Sequence, residues 1–467
     1  MIDLLIKNAT LITVNEDREI LKNHSMAVSD NKIIDIAQEG VLKEKYEGDY
    51  EIIEAEEKFV FPGLVNNHTH LFQTLLKGMG DNMSLEDWFP KMTAPSAVHL
   101  NEEDMYAAAR LGILETIQSG TTTLLDYMYA HPKPKLSDPI IKAFQDLKTR
   151  GILGRGTHNT GQQFGNPEGI IQNDKTIEKD AVRLLDKYHN SENGRIKVWL
   201  APAAIWTNTK KLLKTLWELS KEYNTGFTAH ISETTFDRNA SQEIHGATDV
   251  EVLESLDILG PNVLMVHCVH LSDRDIRMAK YYDMKISHNP VSNMYLASGV
   301  ADIPGMVERD ITVGLATDGP ASNNSQDMIE VLKSTALLQK VSTMDPTIIT
   351  AEKVLEMATI DGARSIGMEE EIGSLEIGKK ADFFIYNPKL SAKSTPINHP
   401  VSTLVYSGTD RCVETVVVDG NIIVDEGELK TANKEKIIKE GQAAANRLAK
   451  RAGIEHIKDR DWMNIGF

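Results

Sequence analysis

The sequence predicts an α/β protein, a (β/α)8 TIM-like barrel carrying a small β-sandwich domain assembled from both termini. Three observations predict it. Between about residue 60 and residue 370, short apolar strands alternate with helical segments. Those strands are nearly continuous in apolar residues, as strands covered on both faces must be. The segments flanking this region carry β-branched runs and hairpin turns instead. A doubly wound sheet would alternate in the same way, but no glycine-rich phosphate loop follows the first strand.

In chain order, residues 1–59 read as β-structure. LLIKNATLITV is followed by SMAVSDNKIIDIA, in which Ser29-Asp30-Asn31-Lys32 is a turn between apolar runs. Downstream, ADFFIYN and VETVVVDGNIIVDEG complete the pattern, the latter joined at Asp419-Gly420, a dipeptide that suits a two-residue hairpin. The expected organisation is therefore 1–59 and 371–430 as two parts of one β-domain, 60–370 as the barrel, and 431–467 as a C-terminal helix and tail. Within the barrel region, Asn101 caps a helix that runs through Ile117 and stops at Gly120, and TTTLLDYM follows as a strand. Further strands read IKVWLAPAA, TGFTAHISE, NVLMVHCVHL, MKISHNP and ITVGLATDG, with amphipathic stretches such as TKKLLKTLWELSKEY between them. ANKEKIIKEGQAAANRLAKRAG reads as a docked surface helix whose cationic end suits the helix dipole.

Composition excludes more than it identifies. The 467 residues are 41% hydrophobic and 25% charged, ordinary values for a globular chain. A net charge of -18 and a pI near 5.3 disfavour nucleic-acid and membrane partners. Cys268 and Cys412 offer no CxxC spacing, so neither a disulfide framework nor a thiolate metal site is expected, and a reducing cytoplasm fits. The N-terminal stretch has Asp3 and Lys7 inside its apolar alternation, unlike a signal peptide, and no apolar run is long enough to span a membrane.

Chemistry gathers at strand ends. His68 and His70 follow the first strand, His230 closes TGFTAH, His267 closes NVLMVH and Asp318 closes ITVGLATD. The C-terminal ends of barrel strands share one face, so these groups would converge. Alternate residues of an extended strand point the same way, which lets His68 and His70 chelate one ion from one side. With His230 and Asp318 they make a three-nitrogen, one-oxygen set suited to Zn²⁺, with Fe²⁺ as the alternative. An isolated H-x-H is more often an ordinary surface or core pair. The joint placement carries the assignment. Glu233, three residues past His230, is placed for general acid-base work. His267 is either a fifth ligand or, with the set already filled, a hydrogen-bonding partner of the nucleophile or the developing oxyanion. Met294 and Tyr295 in SNMYLASG are candidates for a pocket wall.

The stretches FPGLVNNHTH, AHISE, VHCVHL, SHNPVSNMYLASG, ATDGPASNN and GSLEIGKKADFFIYN together resemble the amidohydrolase superfamily over nearly the whole chain. They are most similar to its aminohydrolase branch of methylthioadenosine/S-adenosylhomocysteine deaminases, guanine and 8-oxoguanine deaminases, and triazine chlorohydrolases. The resemblance implies one metal ion on His68, His70, His230 and Asp318, with Glu233 as proton shuttle and His267 as second catalytic histidine. Dinuclear relatives use a lysine late in the fourth strand, whereas Lys197 lies early in IKVWLAPAA. The implied reaction is hydrolytic deamination of an aminated purine-like or other N-heterocycle, a small-molecule partner. The alternatives are a triazine-type chlorohydrolase or N-dealkylating hydrolase, a methylthioadenosine/S-adenosylhomocysteine deaminase, and a non-catalytic assembly module. A homo-oligomer is left open.

Two departures bear on substrate. The resemblance implies a ribose-binding glutamate where Ala97 stands and a purine-reading histidine where Ala203 stands, while Arg155 matches an arginine used on the substrate tail. Gln73, Trp88 and Phe89, in the segment after the metal histidines, are candidates to contact a flat heterocycle.

Overall fold

The computed structural model describes residues 2–38 and 40–459. Eight parallel strands form one sheet in sequential order: β1 (Leu64–Thr69), β2 (Thr121–Met128), β3 (Arg150–Thr157), β4 (Ile196–Pro202), β5 (Phe227–Ile231), β6 (Val263–His267), β7 (Lys285–His288) and β8 (Val313–Leu315). Every residue of β1, β2 and β3 is buried, as a strand between barrel interior and helix layer requires. Helices cover the outside. The one over Glu102–Gln118 starts as read from the sequence, with Asn101 Oδ1 accepting the Asp104 amide at 2.9 Å.

β8 and β1 close the barrel largely through a side chain. Asn66 Nδ2 donates to Thr317 Oγ1 at 2.8 Å, and Asn66 Oδ1 accepts the Thr317 amide at 3.1 Å. The Asp318 amide then donates to His68 O at 3.1 Å. The seam therefore sets the aspartate beside the first histidine.

Nine further strands from both termini join in one hydrogen-bonded sheet. Leu4–Ile12 pairs with Ile20–Ser29, Glu51–Glu54 and Phe59–Pro62, and Phe59–Pro62 pairs with Phe383–Tyr386. Leu4, Leu11, Val28, Val60, Phe383 and Val417 meet in one apolar cluster. The apolar run FVFPGLV is thus two strands. Phe59–Pro62 belongs to the small sheet and Leu64–Thr69 to the barrel, with the change of sheet at Gly63. A Cβ at Gly63 would lie 2.0 Å from Thr122 Oγ1, so the crossing requires glycine. A buried bidentate pair ties the two sheets together, Arg150 at the start of β3 gripping Asp382 at 2.8 and 2.9 Å. The C-terminal helix runs Lys434–Ala452, and its tail beyond residue 459 lies outside the described residues.

β3 is the strand that apolar reading passes over. Gly151, Gly154 and Gly156 interrupt it, and glycine is depleted in strands. Two of the three sit under close neighbours: a Cβ at Gly151 would press into the Phe144 ring and one at Gly156 into the Tyr129 backbone.

Candidate active site

Four side chains converge at the C-terminal mouth of the barrel. His68, His70, His230 and Asp318 each offer one ligand atom, all within 4.8 Å of one another. His68 Nε2 and His70 Nε2 are 3.2 Å apart and lie 3.2 and 3.3 Å from Asp318 Oδ1. His70 Nδ1 donates to Tyr127 O at 2.7 Å, and His230 Nδ1 donates to Ala203 O, which leaves both Nε2 lone pairs free. Asp318 Oδ2 accepts from Ser292 Oγ at 2.6 Å and Ser322 Oγ at 3.1 Å, while buried Oδ1 has no hydrogen-bond donor of its own. Three neutral nitrogens and one anionic oxygen, desolvated and aimed at one point, fit a single divalent ion. Burial holds the His68 imidazole down at about 3 and His230 well below its ordinary value, so both stay neutral as ligands must. Burial would raise Asp318, but the imidazoles crowded around it, His68 and His70 first and then His267, outweigh burial and hold the carboxylate well below its usual range.

The catalytic candidates stand beside this set. His267 Nε2 is 3.5 Å from Glu233 Oε2 and 4.0 Å from Asp318 Oδ2. Its other nitrogen meets Asn293 Oδ1 at 2.9 Å. Burial lowers the His267 pKa, yet the two carboxylates overcome it and the net direction is up. Glu233 is pushed up to about 7, first by burial, with Ser298 Oγ bonded to Oε1 at 3.2 Å. Several of these positions carry left-handed backbone: His267 has φ 69°, Asp318 φ 60° and Ser232 φ 47°. Non-glycine residues adopt such angles at a cost, and they recur where a site is held by its surroundings. Here Ser232 is held by buried Asp249, whose Oδ2 accepts its amide at 2.8 Å and its hydroxyl at 3.1 Å.

The pocket above these groups is mostly apolar. Gln73, Trp88 and Phe89 line it, as do Leu85 and Leu296. On one side Phe164, Trp206 and Phe236 form an edge-to-face triad with centroids 5.6 to 5.8 Å apart. Two expected contacts are corrected. Arg155 is fully buried outside the pocket, its guanidinium taken up by Asp180 at 2.9 Å, Gln172 Oε1 at 2.8 Å and Gly156 O, which makes it a structural arginine of β3. Met294 is 44% exposed and faces an outer depression with Leu337 and Val341, because two residues along a helix turn the side chain to the far side and Leu296 reaches the pocket instead. Tyr295 bonds Asp81.

Sequence reading missed the aromatic triad and His158. The triad's members come from unrelated segments and carry no shared spacing. His158 had a usable signal, since it stands at the C-terminal end of β3 as the other site histidines stand at or near the ends of their strands. Ala97 is buried and does not line the pocket, whereas Ala203 does. Among the described residues, no helix is long and apolar enough to cross a membrane.

A model of the amidohydrolase family matches residues 59–423. A 5'-deoxyadenosine deaminase of Methanosarcina acetivorans is 37% identical over 453 residues, covering 97% of this chain and 100% of its own. A 5-methylthioadenosine/S-adenosylhomocysteine deaminase of Acetivibrio thermocellus is 37% identical over 439 residues, covering 93% and 97%. An adenosine deaminase of Xanthomonas campestris, solved with bound zinc, superposes with a TM-score of 0.89 at 25% identity over 96% of this chain and 99% of that one. An atrazine chlorohydrolase of Arthrobacter aurescens complexed with zinc gives 0.88 at 22% identity over 95% and 100%, a likeness of fold.

Proposed function

The chain belongs to the amidohydrolase family, and from that premise we propose that its pocket deaminates an adenosine derivative or a closely related aminated N-heterocycle, with one divalent metal ion held by His68, His70, His230 and Asp318. The chain is a metal-dependent aminohydrolase, a hydrolase acting on C–N bonds of cyclic amidines. The observation that carries the reading is the four-ligand set with a protonatable carboxyl, Glu233, and a hydrogen-bonding imidazole, His267, beside it at the floor of an apolar pocket. Full-length relatives named as deaminases favour an amine leaving group over chloride. Zinc is the first choice of ion, with ferrous iron the alternative that the same donors accept.

Bound there, the ion supplies the Lewis acidity that makes water nucleophilic near neutral pH. The protein groups then divide the work. Asp318 Oδ2 and His267 Nε2 orient the attacking oxygen, and Asn293 keeps the His267 ring in its plane. Glu233 takes a proton from the nucleophile as the new C–O bond forms and delivers it to the ring nitrogen next to the attacked carbon. The remaining hydroxyl proton passes to the exocyclic amine, the C–N bond breaks, ammonia leaves, and the ring keeps a carbonyl. A carboxyl poised at about 7 in the protein suits both halves of that transfer.

The test is ammonia release by zinc-loaded protein from 5'-deoxyadenosine, methylthioadenosine, adenine and guanine, with Glu233→Gln as control. The reading predicts turnover of at least one adenine-based compound and its loss in the variant. Chloride release from a chlorotriazine with no ammonia from any of these compounds would replace it.

A further inference from the structure

Polar groups on the pocket wall away from the metal ligands are mostly spent on the protein itself. Asp237 accepts Trp206 Nε1 at 3.0 Å through one oxygen and the Thr234 amide and hydroxyl through the other. His158 differs. It lines the pocket, is 3% exposed, and its Nε2 has no partner. A buried polar atom left unpaired at a pocket wall calls for a ligand.

Its tautomer follows from the neighbouring bonds. Asn166 faces Thr160 O at 2.7 Å, and a carbonyl can only accept, so the atom there is the amide nitrogen. That same nitrogen lies 3.0 Å from His158 Nδ1. Nδ1 therefore receives the second N–H and carries a lone pair, which places the ring proton on Nε2. Burial, with the Arg155 charge behind it, holds the imidazole down at about 3 and the ring neutral. The result is a neutral, oriented donor.

Its position suits a bicyclic substrate. Tyr129 stands between the metal ligands and His158, its ring centroid 5.0 Å from His70 and 5.7 Å from His158. Beside His158 on the adjacent strand end, where Thr157 pairs with Pro202, Ala203 offers only a methyl group. We propose that His158 is a specificity-determining residue whose Nε2–H donates to a ring nitrogen of the heterocycle, on the edge away from the carbon attacked at the metal. This rests on the deaminase reading above. A ligand without that lone pair leaves the donor buried and unpaired, and such mismatches discriminate far more strongly than lost methylenes.

The test measures kcat/KM for 5'-deoxyadenosine and its 3-deaza and 7-deaza analogues on zinc-loaded wild type, His158→Phe and His158→Gln. In wild type one deaza analogue should fall about tenfold or more below the parent. That penalty should vanish in His158→Phe, mainly through KM, and return in part with glutamine, whose amide also donates. Equal discrimination by wild type and His158→Phe, or no penalty for either analogue in wild type, overturns the proposal. Should wild type release no ammonia from any of the three, the same comparison is run on the deaza analogues of whichever of methylthioadenosine and adenine it deaminates; if it deaminates neither, the deaminase reading fails, and the proposal is decided by spectroscopy on ¹⁵N-histidine-labelled protein. An Nε2–H tautomer whose resonance shifts on adding adenine supports it; an Nδ1–H tautomer, or an Nε2–H unmoved at saturating adenine, overturns it.

Discussion

The two ends of the pocket are built on different terms. At the inner end, Asp318 and the site histidines sit at or just beyond strand termini, and most are fixed by a second contact: His70 by Tyr127 O, His230 by Ala203 O, Asp318 by two serines. At the outer end, Leu85, Phe89, Phe164 and Phe236 come from the segments between barrel strands, and their contacts are mainly ring against ring or apolar packing. A barrel that holds its chemistry on strand ends and its selectivity on connecting segments can change substrate without rebuilding its reaction. Substitutions at the inner end should therefore abolish turnover of every substrate, and those at the outer end should re-rank substrates.

The largest effect is expected at a ligand. Asp318→Ala removes the anionic donor and the acceptor of Ser292 and Ser322 together, so metal content by elemental analysis should fall well below one per chain and activity should vanish. A variant that kept both would remove Asp318 from the ligand set. Glu233→Gln comes next, with kcat lowered by about 10²- to 10⁴-fold while metal stays bound. The pH profile gives its sign. Glu233 must be ionised to accept a proton, so activity rises with pH through its pKa, and the charge of a bound dication pulls that limb below about 7. The glutamine variant should lose the limb along with the rate.

How much of this was legible in the sequence follows the same division. The ligand set could be read because chemically rare residues stand at the ends of strands that apolar runs mark out. The early break in the first run could not, since FVFPGLV is equally apolar in both sheets and only the crowding of Gly63 against Thr122 shows where the chain changes partners. β3 hid behind its glycines, and His158 with it, although it stands at the C-terminal end of a barrel strand as His230 and His267 do. Arg155 misled for a different reason: its match to an arginine used on the substrate tail says nothing of its local partners, and here Asp180 and Gln172 consume it. The triad of Phe164, Trp206 and Phe236 is a product of tertiary folding, invisible to any local pattern.

At the outer end, Trp206→Ala should raise KM about tenfold for substrates with an apolar substituent, with kcat nearly unchanged. It removes a side chain only 8% exposed and leaves Asp237 without its indole donor, so it should also cost about 3 kcal/mol of stability by denaturant titration. A fall in kcat of the same size as the rise in KM would mean that the aromatic wall positions the reacting ring as well as binding it, which would blur the line between the two ends.

The smallest effect concerns a residue that supports the inner end without touching substrate. Asp249 is buried against Ser232, and burial pushes its carboxyl up to about 7, far above its value of about 3.9 in an unfolded chain. The folded state thus keeps a proton that the unfolded state has already released between those two values. Its stabilising contribution is complete below about pH 4 and is lost progressively as pH rises to about 7. Asp249→Asn retains an oxygen that accepts the Ser232 amide but carries no titrating proton. Its unfolding free energy, measured from pH 5 to 8, should decline less steeply than that of wild type, while activity at pH 7 changes less than about threefold because the turn carrying Glu233 keeps its anchor. If the slope is unchanged, Asp249 is ionised in the folded protein and Ser232 is held by a charge. If activity collapses with the slope, the exchange of one oxygen for an amide nitrogen has moved Glu233, and the supporting shell is then as sensitive as the ligands themselves.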